Sequence, residues 1–307
     1  MSRVLVTGAS GMLGKSVVNS LIESNQEVIA LSRKDVDLTD SAATHKFIEK
    51  AAPNVIIHCA ALVGGIQANI SGGGKFLLQN LAIDNSVLTA AKILEIGNLI
   101  YIGSSCMYPA NREKALTEDQ ILTGPLEKTN ENYALAKIVG SRMVEAIALD
   151  CKYNWRTFIA SNLYGPNDHF GSDKSHLLSA IITKAIEAQK NKSSIEMWGD
   201  GKPRREFTYV DDFSEWISKS IKNLSEIPQY LNLGFGVDYT VEEFYQFVLD
   251  AIDYKAEIIP NLEKPNGNMR KLMDSSKAQQ FGWDPKTSIK LGITNTINWY
   301  TSNKVAR

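Results

Sequence analysis

Short apolar runs alternate with amphipathic stretches through the first half of the chain. Arg3-Val-Leu-Val-Thr7, Glu27-Val-Ile-Ala-Leu-Ser32, Val55-Ile-Ile-His-Cys-Ala-Ala61 and Asn98-Leu-Ile-Tyr-Ile-Gly103 read as strands, rich in β-branched residues. Between them the apolar positions recur at helical spacing. Val17, Val18, Leu21 and Ile22 mark a first helix, Ser41 to Ala51 a second and Phe76 to Ile96 a long third. Asp35-Val-Asp37-Leu38 fits a short extra strand, which makes Asn98–Gly103 the fifth. Strands alternating with helices of this length predict a parallel sheet with right-handed crossovers. Glu131 to Cys151 reads as a further long helix.

Beyond Pro166 the rhythm loosens. His169 to Lys174 reads as a loop, and Ser175 is placed to cap a helix reaching Gln189. Ser194 to Trp198 is a strand running into a turn, with Arg204-Arg-Glu-Phe-Thr-Tyr-Val-Asp-Asp212 after it. Val241 to Ile252 is an amphipathic helix, Lys264 to Gly267 a loop and Ile289 to Tyr300 a closing helix. The predicted fold is α/β. It comprises a Rossmann-type doubly wound parallel sheet over residues 1–166 and a smaller mixed α/β lobe over 167–307, with some interleaving of segments.

Composition narrows the function. The 307 residues are 44% hydrophobic and 22% charged, with a formal net charge of −1, ordinary for a globular enzyme-sized chain. No basic excess points to nucleic acid or an anionic membrane. No apolar stretch approaches the roughly 18 residues that span a bilayer, and the N-terminal run reads as a first strand, not a signal peptide. Cys59, Cys106 and Cys151 form no Cys-x-x-Cys pair, which argues against a zinc site or a disulfide framework. A reducing cytoplasm is the simplest location, with Cys106 free to act as a thiol.

Four stretches carry candidate chemistry. The first is Gly8-Ala9-Ser10-Gly11-Met12-Leu13-Gly14, between a strand and a helix. Its glycines permit a tight turn and close backbone approach to a pyrophosphate at the helix N-terminus; a βα turn that binds nothing shares the pattern. The second is Ser32-Arg33-Lys34, at the end of the next strand. An NAD site carries Asp or Glu there, whereas Arg33 suits the 2′-phosphate of NADP(H); a solvated turn is the alternative. The third is the strand end Ser104-Ser105-Cys106, on the edge where open α/β sheets bind ligands. The fourth is Tyr133-x-x-x-Lys137, two side chains on one helix face, where the ammonium is expected to lower the phenol's pKa. Taken alone, such a pair also fits an exposed face with a snorkelling lysine. His58, inside an apolar run, reads as a core histidine bonded to backbone. Trp198 fits either a core aromatic of the small lobe or a stacking surface beside Arg204 and Arg205.

Together these stretches resemble the short-chain dehydrogenase/reductase superfamily in its extended form. Val63-Gly-Gly-Ile66, Gly103-Ser-Ser-Cys-Met-Tyr-Pro109, Thr129-Asn-Glu-Asn-Tyr133-Ala-Leu-Ala-Lys137, Thr157 to Pro166 and Arg204-Arg-Glu-Phe207 are similar to the GDP-L-fucose synthases, and the likeness runs to about Trp299. The resemblance implies an NADPH-dependent enzyme that epimerises a GDP-4-keto-6-deoxy-D-mannose at C3 and C5, then reduces C4. It implies Tyr133 as proton donor, Lys137 on the nicotinamide ribose, Ser104 on the keto oxygen, and Cys106 and His176 as epimerisation base and acid. It adds Ile102, Gly103, Ser105, Asn162, Leu163 and His176 to the cofactor contacts, and Lys184, Trp198, Arg205 and Asp274 to the nucleotide sugar. It also implies a homodimer, paired through Phe76–Ile96 and Glu131–Cys151. The same chemistry on GDP-colitose or a GDP-deoxyheptose, half of the activity alone, and a non-catalytic NADP-binding regulator are the competing readings.

Overall fold

The computed structural model describes residues 2–171, 175–264 and 266–305. Its larger sheet has six strands in the order β2-β1-β3-β4-β5-β9. These are β1 (Arg3–Thr7), β2 (Glu27–Leu31), β3 (Val55–His58), β4 (Asn98–Ser104), β5 (Asn154–Ala160) and β9 (Tyr230–Leu233). Every neighbouring pair is parallel. Helices α1 (Met12–Glu23), α2 (Ser41–Ala51), α3 (Ile66–Ile93), α4 (Glu131–Cys151) and α6 (Val210–Ser220) supply the covering layers. Alternation along β1 divides the core. Val4 and Val6 join Val17, Leu21, Phe213 and Trp216 on one side, while Leu5 joins Ile48, Leu88, Tyr101 and Val144 on the other. Each such fully buried aliphatic side chain contributes about 1.5–3 kcal/mol of burial.

The smaller lobe holds β6 (Asn162–Tyr164), β8 (Arg204–Tyr209), β10 (Asp238–Thr240) and β12 (Arg270–Lys271) around one another. A parallel pair stands apart from them, β7 (Ile195–Trp198) with β11 (Ile258–Asn261). Helices α5 (Leu177–Asn191), α7 (Val241–Ala251) and α9 (Ile289–Val305) share an apolar core with β8. The short α8 (Ser276–Gln279) follows β12. Residues 230–233, far along the chain, complete the large sheet, so chain segments cross between the two bodies.

Three elements differ from their sequence-based prediction. The Asp35–Leu38 strand is absent. Asp35 turns back and accepts from the Ser32 N–H at 2.8 Å and the Ser32 hydroxyl at 2.6 Å, while Leu38 is buried in the core with Val36 packed against it. The strand bearing Ser104 is therefore the fourth, not the fifth. The third helix starts at Ile66, not Phe76, and ends at Ile93, with a kink at Gly72 (φ −128°, ψ 23°). Three consecutive glycines are poor helix formers, but Asn69 offsets that cost by bonding the Gly64 and Gly65 carbonyls at 2.8 and 3.0 Å. Helix α5 starts at Leu177 with His176, not Ser175, in the capping position. Of the predicted loops His169–Lys174 and Lys264–Gly267, residues 172–174 and 265 lie outside the described residues. Among the described residues, no helix is long and apolar enough to cross a membrane.

Candidate active site

The β1–α1 turn passes very close to the end of β3. Gly8 has φ +67°, and a Cβ there would sit 2.8 Å from the Ala60 Cα. A Cβ on Gly14 would collide with the Gly8 carbonyl. The Gly11 N–H bonds the Gly8 carbonyl at 3.0 Å, and no side chain caps α1. The first free N–H groups of α1 thus face outward from a cradle that side chains would fill, which fits a diphosphate. At the end of β2, Arg33 is exposed and enters no ion pair among the described residues, while Asp35 is occupied by Ser32. Arg33 thus stands exposed at that edge, with the exposed Asp37 near enough to feel its charge.

Behind the strand ends lies a buried charged layer. Asp84 accepts from the Tyr101 hydroxyl at 2.6 Å and pairs with His58 Nε2 at 3.1 Å. His58 Nδ1 is hydrogen-bonded to Thr7 Oγ1 at 2.7 Å, and Thr7 accepts from the Ala60 N–H at 3.1 Å. His58 is thus a core histidine, as expected, but its partners are side chains and not backbone. Lys137, only 3% exposed, lays its ammonium 4.4 Å from the centre of the Tyr101 ring. Burial pulls the Lys137 pKa down, with Asp84 and Cys59 opposing. Helix α4 reaches this depth because residue 140 is glycine. A Cβ there would overlap both the Tyr101 hydroxyl and an Asp84 oxygen.

In front of that layer stand the reactive groups. Ser104 ends β4, and its Oγ accepts from the Cys106 N–H at 3.2 Å. Tyr133 is half-buried on α4, one turn before Lys137. Burial first, then the neighbouring Cys106 and Asp84, pushes the Tyr133 phenol upward, while a bond with Ser104 pulls the other way. The predicted lowering by Lys137 is reversed here: desolvation outweighs the ammonium, which rests over Tyr101 instead. The phenol is held protonated. Cys106 Sγ receives a bond from Asn130 Nδ2 at 3.3 Å and faces Lys271 Nζ at 3.7 Å. Arg205 on β8 lies close enough to feel both Cys106 and Glu127. The His176 side chain makes no capping bond and lies near the buried Asp168, whose carboxyl is pushed up by burial, with His176 opposing.

The rim is built differently. Trp198 is 40% exposed, which excludes the core-aromatic alternative. Lys184 and Lys264 place ammoniums 5.4 and 5.3 Å from its ring centre. Trp198 Nε1 donates to Glu196 at 3.2 Å, and Lys184 donates to the Glu196 carbonyl at 3.0 Å. Asn162 donates to the Glu206 carbonyl at 2.8 Å, and Leu163 packs on the large-sheet core.

The structure brings Ser104, Cys106, Tyr133, Lys137 and Arg205 together, and Trp198 with Lys184. Asp274 stands aside. Its carboxylate accepts from the Ser276 N–H at 2.9 Å, and no hydrogen bond or ion pair joins it to Trp198, Lys184 or Arg205 among the described residues. Asn130, Lys264 and Lys271 escaped sequence reasoning. Asn130 lies inside the Thr129–Lys137 block and Lys271 three positions before Asp274, but their side-chain direction depends on how the lobes meet.

An open parallel sheet with a glycine turn, a strand-end serine and a Tyr-x-x-x-Lys helix defines a nucleotide-dependent dehydrogenase-type site. Residues 4–234 match the NAD dependent epimerase/dehydratase family. The chain belongs to that family, as an enzyme of its GDP-L-fucose synthase-like group. It is 41% identical over 304 residues to the GDP-L-colitose synthase of Yersinia pseudotuberculosis, covering 98% of this chain and 99% of that protein. It is also 41% identical over 305 residues to the GDP-L-fucose synthase of Azorhizobium caulinodans, covering 99% and 98%. Among solved structures, the GDP-mannoheptose C4 reductase of Campylobacter jejuni with NADP bound superposes with a TM-score of 0.88 at 28% identity, covering 98% of each chain.

Proposed function

We propose that this enzyme converts GDP-4-keto-6-deoxy-D-mannose to GDP-L-fucose, by epimerisation at C3 and C5 followed by reduction of the C4 ketone with NADPH. The observation that carries the reading is that Cys106, Ser104 and Tyr133 are close neighbours: a thiol to act as base, and two hydroxyl donors. Protons on C3 and C5 are acidified by the ketone between them. Cys106 removes such a proton, and the electron pair moves onto the C4 oxygen, where Ser104 and Tyr133 donate hydrogen bonds. His176 returns a proton to the opposite face. NADPH, when bound, supplies a hydride to C4. Tyr133, kept protonated by its surroundings, then delivers the proton to the oxygen, and Lys137 holds the nicotinamide ribose.

Gly8 to Gly14 would cradle the pyrophosphate and Arg33 the 2′-phosphate, with Ile102, Gly103, Ser105, Asn162 and Leu163 along the nicotinamide half. Trp198 would stack the guanine while Lys184 and Arg205 neutralise the diphosphate. Asp274 would meet the sugar nucleotide only by leaving Ser276. Exposed Leu78, Val139 and Leu149 on α3 and α4 suit the pairing of two subunits. The free thiols suit a reducing cytoplasm.

The second reading, the same chemistry on a GDP-4-keto-3,6-dideoxy sugar on the way to GDP-colitose, is favoured by the 41% identity to the Yersinia enzyme. Purified protein is to be given each keto sugar with NADPH or NADH, and the product read by NMR. The proposal expects GDP-L-fucose formation with NADPH preferred. Turnover of the dideoxy substrate alone overturns the fucose assignment, and equal use of NADH overturns the role of Arg33.

A further inference from the structure

We propose that Lys271 is a positioning residue for the epimerisation base: its ammonium is the counter-charge that holds Cys106 in its thiolate form. This rests on the reading of Cys106 as the base given above. Lys271 is 8% exposed, and its Nζ lies 3.7 Å from the sulfur. A buried ammonium needs a negative partner. Glu127 provides one at 3.7 Å, but it does not balance the cluster alone.

The charges facing the sulfur come from four elements. From β12 comes Lys271, and from β8 comes Arg205, its register neighbour in the parallel pair. The segment before α4 brings Glu127 and the neutral Asn130, whose amide donates to the sulfur at 3.3 Å. Helix α4 brings the Tyr133 phenol, which burial first, and then its neighbours Cys106 and Asp84, push toward its protonated form. Two cations against one carboxylate leave the cluster with one excess positive charge when Cys106 is a neutral thiol. The thiolate cancels that excess. It also fixes the division of labour: sulfur and phenol stand close enough to repel as anions, so with the sulfur ionised the phenol keeps its proton for the ketone oxygen.

During epimerisation the sulfur gains the sugar's proton as the C–H bond breaks, and the electron pair goes to the enolate oxygen. No oxidant or reductant is needed. The sulfur is reset by passing its proton to solvent. Because β12 belongs to the small lobe and Cys106 to the turn that follows β4, the base is complete only where the two lobes meet.

The test is the pH dependence of Cys106 alkylation by iodoacetamide in the full chain, followed peptide by peptide. Cys59, whose thiol burial pushes up to about 12, serves as an internal control. Lys271→Met is expected to move the alkylation profile upward by about one pH unit and to slow alkylation at pH 7 about tenfold. Lys271→Arg should stay within about threefold of wild type. Glu127→Gln should shift the profile the other way, because the ammonium then faces the sulfur alone. NADPH binding reports the fold of each variant. A wild-type profile in both Lys271→Met and Glu127→Gln overturns the proposal. Solvent deuterium entering the sugar separates the two readings: a shifted profile with no exchange in any protein leaves the Lys271–Cys106 pairing standing and removes Cys106 as the base.

Discussion

The floor around Tyr133 and the rim around Trp198 both gather charged and aromatic groups, yet they are made by opposite means. On the floor, Asp84, Lys137 and His58 are nearly sealed from water, and each is fixed by a named neighbour. On the rim, Trp198, Lys184 and Glu196 share loose cation–π and ion-pair contacts in solvent. Low dielectric makes every charge on the floor consequential. Exposed pairs contribute about 0–1 kcal/mol each, so the rim contributes area and shape. The contrast teaches that chemistry and recognition are separated here by burial, with Arg205 and Lys271 carrying charge from the small lobe to the floor.

Substitutions can break that contrast. Tyr133→Phe removes the proton donor from the floor. NADPH-dependent reduction is expected to fall about 10²–10⁴-fold, while solvent deuterium still enters the sugar ring. Unchanged turnover, measured by loss of NADPH absorbance, removes the phenol from its role.

Glu206 extends the comparison to stability. It is 1% exposed on β8, accepts from the N–H groups of Gly236 and Met273, and burial raises its carboxyl from 4.5 to about 7. A raised value in the folded state means that the folded chain keeps a proton the unfolded chain releases. Its contribution is therefore full below about pH 4.5 and is lost as pH rises through about 7. That window spans roughly 3 kcal/mol. Glu206→Gln should flatten the corresponding fall in Tm, measured calorimetrically from pH 5 to 8. A fall that persists in the variant assigns it to other groups.

The rim should respond least. Trp198→Ala is expected to raise the KM for the GDP-sugar about tenfold, the worth of one stacked base, with kcat and Tm nearly unchanged. A large loss of Tm would place Trp198 structurally with the floor.

The sequence already disclosed much of this arrangement. Helix α4 runs from Glu131 to Cys151, the bounds expected for it, and the β1–α1 turn lies where its glycines stand. Local signals sufficed for the turn because turn chemistry acts within a few residues, while the helix bounds came with the family resemblance. Asp35–Leu38 misled because its alternation is real but its carboxylate is used to close a turn. The direction of the Tyr133 shift was illegible because Tyr-x-x-x-Lys spacing conveys proximity and not burial. Lys271 was illegible for a third reason: its neighbour Cys106 is 165 positions away, and only the joining of two lobes makes them adjacent.

Gly140 bears on anyone who sets out to make this protein more robust. Replacing a mid-helix glycine by alanine is a standard route to a stiffer unfolded chain and a better helix. At this position the added methyl would wedge α4 away from Tyr101 and Asp84 and tilt the turn that presents Tyr133 and Lys137. A substitution that promises heat tolerance would be purchased with the enzyme's own chemistry.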